Sequence, residues 1–586
     1  MSRMNSGAAA SRTAAHHRWL QRMPGLATMR AYQRSWLRSD LVAGLVLTSV
    51  LVPAGMGYAE AAHLPPIIGL YATVTCTLAY ALFGPSRFLV LGPDSALGAL
   101  IASIVLPIAG PQPERLILMA GMLAVLSGVL CVLVGLFRLG FVTDLLSKPI
   151  REGYLNGVAL TVVIGQAPKL LGFGVDGSSL TEEAVGLMRG VLDGKVNEVA
   201  CALGVASLIV IFGCKRWVPR IPGILVAVVG AALAVAVFEL DRTAHVPIVG
   251  ALPRGLPHLS LPWVSLQQVV DLLPGAIAVA LISLADISVL SRVFAGRTGQ
   301  QVDRDQELVA LGAANIVAGL FQGFPVTSSS SRTAVAESSG ARSQLTGVIA
   351  ALCVAALLVF APTLLRTLPT AALAAVVIAA AVGLFEIREM AVLLRLRPSE
   401  FLQSMACFAG VALVGVIQGI FIAIGLALLA FVWRAWRPYD AVLGRVEGRK
   451  GYHDVSRHPE ARHIPGLLLF RWDAPLFFAN AEIFRDHVGR AIALASTPTR
   501  WVVVAAEPIT DVDVTAAGIL RDLHAQLKEA HIELYFAEMK GPVKDLMIRY
   551  GVSAGMIAER AFPTVGVAVN AYLEQHSDVE WHDWDD

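Results

Sequence analysis

Two short segments, far apart in the chain, share one design: a β-like apolar run, a proline-bearing break and a brief helix. The first runs from Arg87 through Leu91, Gly92, Pro93, Asp94 and Ser95 into apolar residues. The second runs from Gly323 through Pro325, Val326 and Thr327 to Ser330, Ser331 and Arg332. Both lie among long hydrophobic stretches, which puts proline, aspartate and arginine at membrane depth. Irregular backbone survives there only where protein or a water-filled cavity surrounds it. Such interruptions in matching places of two halves point to a midplane binding site. A helix start offers free N–H groups and partial positive charge. With Arg332 beside one of them, the expected ligand is an anion.

The chain has 586 residues, of which 56% are apolar and only 15% charged, with a mean hydropathy of +0.65. A soluble chain carries nearer a quarter charged residues, so the composition predicts a polytopic membrane protein. The net charge of +2 is uninformative because charge is sorted by region. Before Asp40 there is no acidic residue, while Arg3, Arg12, Arg18, Arg22, Arg30, Arg34 and Arg38 are present. An organellar leader has that composition, but a cytoplasmic tail obeying the positive-inside rule is the reading we adopt. No cleavable signal peptide is visible. The six cysteines fall in or beside apolar spans, without CxxC or Cys/His spacing, and read as packing residues.

Spans are expected near 41–60, 66–83, 94–108, 115–137, 144–166, 198–213 and 222–238. A second set falls near 270–291, 305–321, 327–338, 344–361, 368–386, 399–417 and 419–434. That makes about fourteen, with the third and tenth only half-length. Seven per half is odd, so the second half should run in the opposite direction, as an inverted repeat. Loop charges agree with an internal N-terminus. The expected cytoplasmic loops carry Arg138, Lys148 and Arg151; Lys215, Arg216 and Arg220; Arg292, Arg297 and Arg304; and Arg388, Arg395 and Arg397. The expected exterior loop 168–197 holds Asp176, Glu182, Glu183 and Asp193. Composition changes at Arg434–Pro438. Beyond it, strand patterns at Leu467–Phe470, Trp501–Ala505 and Ile532–Phe536 alternate with helical ones at Thr515–Ala530 and Val543–Tyr550, which reads as a small cytoplasmic α/β domain.

The run Pro53-Ala54-Gly55-Met56-Gly57-Tyr58-Ala59, then Leu64-Pro65-Pro66, Gly69-Leu70-Tyr71-Ala72, Phe83-Gly84-Pro85-Ser86-Arg87 and Gly92-Pro93, resembles the SulP anion-permease family. Ser331-Arg332-Thr333-Ala334-Val335 with Gly340-Ala341-Arg342-Ser343 resembles it again. Ile509 to Ala517, through Asp511, Asp513 and Thr515, looks like the signature loop of a STAS domain. The resemblance covers nearly everything after residue 38. It implies a basic cytoplasmic segment at 1–38, a transmembrane domain at 39–437, a STAS domain at 438–575 and an acidic tail at 576–586. Within the membrane it implies a core of spans 1–4 and 8–11 and a gate of spans 5–7 and 12–14, moving as an elevator. The anion would sit between the starts of half-helices 3 and 10, flanked by spans 1 and 8. A homodimer in the cell membrane, multi-pass with both termini cytoplasmic, follows from the same resemblance. Family substrates include sulfate, bicarbonate, chloride, other halides and dicarboxylates.

Ser331 and Arg332 match the family's anion-contact pair, and Thr327, Ser330 and Ser95 lie beside the same helix starts. A hydroxyl and backbone N–H groups donate to an oxyanion, while arginine adds charge; equally, the serine run caps a buried helix end. Asp94 departs from the apolar residue common in the family. Three uses stay open for it: capping its own helix, coupling to a proton, or pairing with Arg332. Asp286, within Ser283-Leu284-Ala285-Asp286, stands where bacterial relatives often carry glutamate and keeps the family's spacing to Glu307. It reads as the proton or sodium site, with Ser283 as an extra oxygen. Ala54 stands where Gln or Glu is frequent; Met56 and Tyr58 remain as lining or packing residues, and Gly55, Gly57, Gly92 and Gly98 suit close helix contact.

His453, His458 and His463 read as a solvated loop, and Asp511 and Asp513 as caps more than as a partner or nucleotide site. No Walker loop, nucleophile elbow or zinc-protease motif appears, so no enzyme chemistry, resident cofactor, metal or nucleic-acid partner is expected. The leading reading is secondary active anion transport coupled to H+ or Na+. The competing ones are an uncoupled channel or exchanger, a voltage-driven conformational sensor, and a nucleobase permease.

Overall fold

The computed structural model describes residues 23–581 apart from 31, 111, 141–147, 176–179, 219–221, 299–301 and 553–559. Most of the basic segment 1–38, together with Asp176, Arg220 and the end of the acidic tail, therefore lies outside the described residues. Contacts divide the chain into two compact units, one ending at Ala427 and one beginning at Leu428.

The first unit is helical. Its opening helices are α1 (Leu37–Ala61), α2 (Pro66–Phe83), α3 (Ser95–Ala109), α4 (Pro113–Leu136), α5 (Lys148–Leu170), α6 (Leu180–Leu192), α7 (Glu198–Trp217) and α8 (Gly223–Phe238). Then follow α9 (Leu266–Thr298), α10 (Arg304–Leu320), α11 (Ser330–Ser338), α12 (Leu345–Phe360), α13 (Thr370–Val382), α14 (Ile387–Leu396), α15 (Pro398–Ala409) and α16 (Val416–Trp436), within which the first unit ends. Among the described residues, seven helical stretches are long and apolar enough to cross a membrane, and four shorter helices are strongly apolar. Prolines at the first positions of α2 and α4 suit helix starts, where the missing N–H has no partner to lose. Glycine lets α4 and α10 touch backbone to backbone: a methyl group at Gly128 would stand 2.7 Å from the carbonyl oxygen of Gly312.

Two helices lie where loops were expected. α6 occupies the middle of 168–197, and α14 carries the charges Arg388 and Arg395. Both are amphipathic, so their polar residues dilute the run of apolar ones that marks a span. The thirteenth expected span is α15 followed by a π-helical turn, Gly410–Val414, which ends at Gly415 with φ of 135°.

Each break is held by buried hydrogen bonds. The apolar runs before α3 and α11 form two-residue strands, β1 (Leu91–Gly92) and β2 (Thr327–Ser328), paired antiparallel with Leu91 opposite Ser328 and Gly92 opposite Thr327. Ser329 N–H extends the pairing to the Val90 carbonyl at 3.0 Å, and Val90 N–H donates to Thr333 Oγ1 at 3.1 Å. Asn315 on α10 clamps Val326 from both sides, accepting from its N–H at 2.8 Å and donating to its carbonyl at 3.0 Å. Gln344 Nε2 donates to the carbonyls of Ser86 and Leu89 at 2.9 and 3.0 Å. Glu307, fully buried, accepts from Tyr80 Oη at 2.6 Å and from Ser86 Oγ. Asp40, also fully buried, accepts from the N–H groups of Arg342 and Ser343 and from the hydroxyls of Tyr32, Ser343 and Thr346. Buried backbone at the two breaks is thus paired, as low-dielectric surroundings demand.

The second unit holds a six-stranded sheet in the order β4-β3-β5-β6-β7-β8, with β3 (Asp440–Arg445), β4 (Tyr452–Asp454), β5 (Leu467–Trp472), β6 (Trp501–Ala505), β7 (Glu533–Ala537) and β8 (Ala561–Phe562). β5 to β8 are parallel and β3 is antiparallel to both neighbours. Helices α17 (Ala481–Ala493), α18 (Val514–Glu529), α19 (Gly541–Arg549) and α20 (Val565–Gln575) complete it. The three strands and two helices expected from pattern lie within a residue or two of their places. The short strands, α17 and α20 were not among the expected elements; α20 carries weaker periodicity than α18, whereas α17 is at least as amphipathic.

Candidate functional site

The starts of α3 and α11 differ in how their N–H groups are used. Asp94 is the N-cap of α3, and its Oδ1 accepts from Ala96 N–H at 3.1 Å. Ser329, the N-cap of α11, makes no side-chain cap bond; its hydroxyl lies 3.3 Å from Ser331 Oγ instead. Thus a carboxylate caps α3, while among the described residues no side chain caps the first turn of α11. Ser330 and Ser331 are exposed at that turn, whereas Thr327, Ser328 and Ser329 are buried. The hydroxyls of Thr327 and Ser328 have no hydrogen-bond partner among the described residues.

Arg332, in the same first turn, is 1% exposed. Its Nη2 stands 3.4 Å from Asp94 Oδ2, and its guanidinium carbon lies 5.9 Å from the centre of the Tyr58 ring. Nε and Nη1 have no partner among the described residues. Gly92 makes room for this head group, since a methyl group there would approach Nη1 to 3.3 Å. Of the three uses open to Asp94, the geometry therefore shows two together, capping and pairing. Arginine suits the place because it stays charged when buried and presents several donors in a fixed plane.

Met56 is fully buried, Tyr58 nearly so, and Ser95 is buried at the first residue of α3. Gly55, Gly57 and Gly98 meet neighbouring helices, with Gly98 closest to Ala61; only Gly92 of the four faces the arginine. Asp286 lies in the interior of α9, partly buried, near enough to Asp94 and Arg151 to feel both charges. It makes no hydrogen bond or ion pair among the described residues. Ser283, 1% exposed, and Ser288, equally buried, flank it on α9, and neither hydroxyl has a partner among the described residues. α9 packs against β2, so Asp286 rides on a helix that touches one break directly.

Sequence reasoning did not single out Ser288, Ser328 or Tyr154. Ser328 follows Thr327 directly and Ser288 stands two residues past Asp286, and that proximity was the available signal. Tyr154, on α5, donates to the backbone of α3 and carries no motif. In the second unit, Asp513 caps α18 through Ala516 N–H at 2.8 Å and also accepts from Phe478 N–H at 2.8 Å, and Asp511 accepts from Val512 N–H at 2.9 Å. Both carboxylates are engaged with nearby backbone, as the capping reading expects.

Comparison with known proteins agrees along the chain. A model described as "Sulfate permease family" matches residues 37–407, and a STAS domain model matches 458–568. A protein described as a "probable sulfate transporter" of Mycobacterium tuberculosis (strain ATCC 25618 / H37Rv) is 38% identical over 549 residues, covering 94% of this chain and 98% of the relative. Human solute carrier family 26 member 6 is 32% identical over 505 residues, covering 81% of this chain and 66% of its own. Among solved structures, the murine Slc26a9 anion transporter in its inward-facing state superposes with a TM-score of 0.88 at 21% identity, covering 95% of this chain and 94% of that one. The transmembrane domain of the cyanobacterial bicarbonate transporter BicA gives 0.58 at 21% identity, over 68% of this chain and 98% of its own. At that identity the structural likeness speaks for the fold.

Proposed function

The chain belongs to the sulfate permease family and carries a C-terminal STAS domain, and on that footing we propose that it is a secondary active transporter of a small anion. Sulfate heads the candidates, because the relative at 38% identity is described as a sulfate transporter; bicarbonate and dicarboxylates remain in the panel to be tested. The observation that carries the reading is the uncapped start of α11 beside a buried arginine with two unused nitrogens. A dianion seated there would receive backbone N–H groups, the Ser330 and Ser331 hydroxyls and the field of Arg332. Asp94 occupies the opposite helix start and holds the arginine in place.

Coupling falls to Asp286. Its carboxylate has no local use among the described residues, whereas Asp94 is engaged twice, and a carboxylate at membrane depth is costly unless it works. Either H+ or Na+ could serve, and Ser283 would add an oxygen to the latter. Spans 1–4 and 8–11 form the moving core and 5–7 and 12–14 the gate of an elevator, arranged as an inverted repeat. The antiparallel pairing of β1 with β2 supports that symmetry, since a two-fold axis in the membrane plane relates such a pair. The protein works as a homodimer in the cell membrane with both termini in the cytoplasm, and its STAS domain regulates transport.

Proteoliposome uptake tests this reading: sulfate, bicarbonate, chloride and dicarboxylates are offered with and without imposed H+ and Na+ gradients. Accumulation of one anion driven by one cation gradient is expected. Equilibration without accumulation under every gradient would replace the coupled transporter by an uncoupled pathway.

A further inference from the structure

α6, which lies where a loop was expected, inserts a carboxyl group between other helices. Glu183 packs against Gly165 of α5, where a methyl group would stand 2.9 Å from Oε2. That oxygen is buried and has no hydrogen-bond partner among the described residues. Glu183 lines a cavity of about 100 Å³ bounded by α3, α5, the end of α1 and the 411–415 turn. Gln166, 4% exposed, lines the same cavity, and its Oε1 is likewise unpartnered among the described residues.

The hydroxyls in the wall sharpen the chemistry. Ser103 donates its proton to the Leu100 carbonyl at 2.8 Å, and Thr161 donates to Gly157 at 3.1 Å. Both can then only accept from the cavity side. Ser103, Thr161, Gln166 and Glu183 all line this one cavity, and the buried oxygens Gln166 Oε1 and Glu183 Oε2 are without a donor among the described residues. A proton on Glu183 converts an acceptor that has no donor into a donor, which a neighbouring oxygen can accept. A metal ion is the poorer occupant because Lys169 already sets a positive charge nearby.

We propose that Glu183 is a proton-binding site on the outer seam of the transporter: protonated, it seats in this cavity and holds α6 and α5 against the α1 and α3 wall, and deprotonated it frees α6 and lets the seam open. The inference rests on the core-and-gate reading above, because the cavity wall combines α1 and α3 of the proposed core with α5 and the 411–415 turn of the gate. The groups facing the carboxyl are few. Lys169 on α5 favours its charged form, with Nζ anchored on the Glu60 carbonyl at 3.0 Å. His63, after α1, lines the cavity, and Glu182 neighbours it on α6, while α3 and the 411–415 turn contribute no titratable group to the wall. Burial pushes the Glu183 carboxyl up to about 7 from its ordinary 4.5, against the pull of Lys169. The seated form therefore binds more protons, so the latch is strongest below pH 4.5 and is lost as pH rises toward 7 and beyond.

Hydrogen exchange of residues 180–192 in the full chain, in lipid nanodiscs and corrected for intrinsic rates, tests this. Protection in the wild type should fall at least tenfold between pH 5.5 and 8.5. Glu183→Gln should remain protected at both, and Lys169→Met should move the midpoint upward. Equal protection at both pH values, or a pH-dependent loss that survives in Glu183→Gln, overturns the proposal. Should Glu183→Gln fail to fold, the direction of the Lys169→Met shift decides alone. Exchanging sodium for choline at fixed pH should change nothing; a sodium-dependent gain in protection would overturn the proton in favour of the metal. Anion uptake assayed in parallel separates the two readings, since a latch that titrates in a protein moving no anion would refute only the transport assignment.

Discussion

The hydroxyl of Tyr154, on α5, donates to the carbonyl of Ala96 at 2.7 Å, in the first turn of the helix that Asp94 caps. α5 belongs to the proposed gate and α3 to the proposed core, so this bond must break if one slides past the other. A buried neutral hydrogen bond contributes about 1 kcal/mol. Tyr154→Phe should therefore raise the rate of translocation roughly fivefold without altering anion affinity. Saturating uptake beside equilibrium binding measures both; an unchanged rate would remove the bond from the moving interface.

Arg332→Ala should leave folded protein in the membrane and lower anion uptake by about a hundredfold, as loss of roughly 3 kcal/mol from a charged donor implies. Arg332→Lys should recover only part of this, because an ammonium cannot reach Asp94 and lie over Tyr58 in one plane. Wild-type rates in the alanine variant would place the anion elsewhere.

Asp286→Asn should abolish gradient-driven accumulation while exchange at equal concentrations persists. Asp94→Asn weakens its interaction with Arg332 and should lower anion affinity with coupling retained. Accumulation that survives in Asp286→Asn and fails in Asp94→Asn would reverse the two roles.

Asn315→Ala leaves both backbone groups of Val326 without their side-chain partner in a buried place, at a cost of about 2–4 kcal/mol. Thermal unfolding in detergent should show the loss, and added anion should stabilise the variant less than the wild type.

Removing residues after about 440 should weaken or deregulate transport while leaving anion binding, because both proposed repeats end before that point. Isothermal titration on the purified truncation reads this directly. A folded truncation that binds no anion would show that the second unit is needed to complete the site.

Much of the helical layout was visible in the sequence because apolar runs, starting prolines and ending glycines punctuate it plainly. The breaks stood out for the same reason, since Pro93 and Pro325 interrupt long hydrophobic stretches. α6 and α14 were not legible, as amphipathic helices of ten or so residues resemble charged loops in composition. The partner of Arg332 could be stated only as one of several readings, because Asp94 reaches it through the fold and not through spacing. Asp40 gave no sign at all. Most of its donors come from the Arg342–Thr346 segment, and nothing in an isolated aspartate at a helix start reports them.

The β1–β2 pair has a consequence for how the protein is made. Leu91 and Gly92 find their ladder partners only in Ser328 and Thr327, which emerge from the ribosome after most of the helices of the membrane unit. Until then the first break carries backbone groups without those partners at membrane depth, where such groups are costly. The early helices can insert, but the segment around Gly92 cannot reach its final form. The proposed anion site is thus a late product of synthesis, and a nascent chain arrested before Thr327 should hold an unfinished first half that quality-control proteases can recognise.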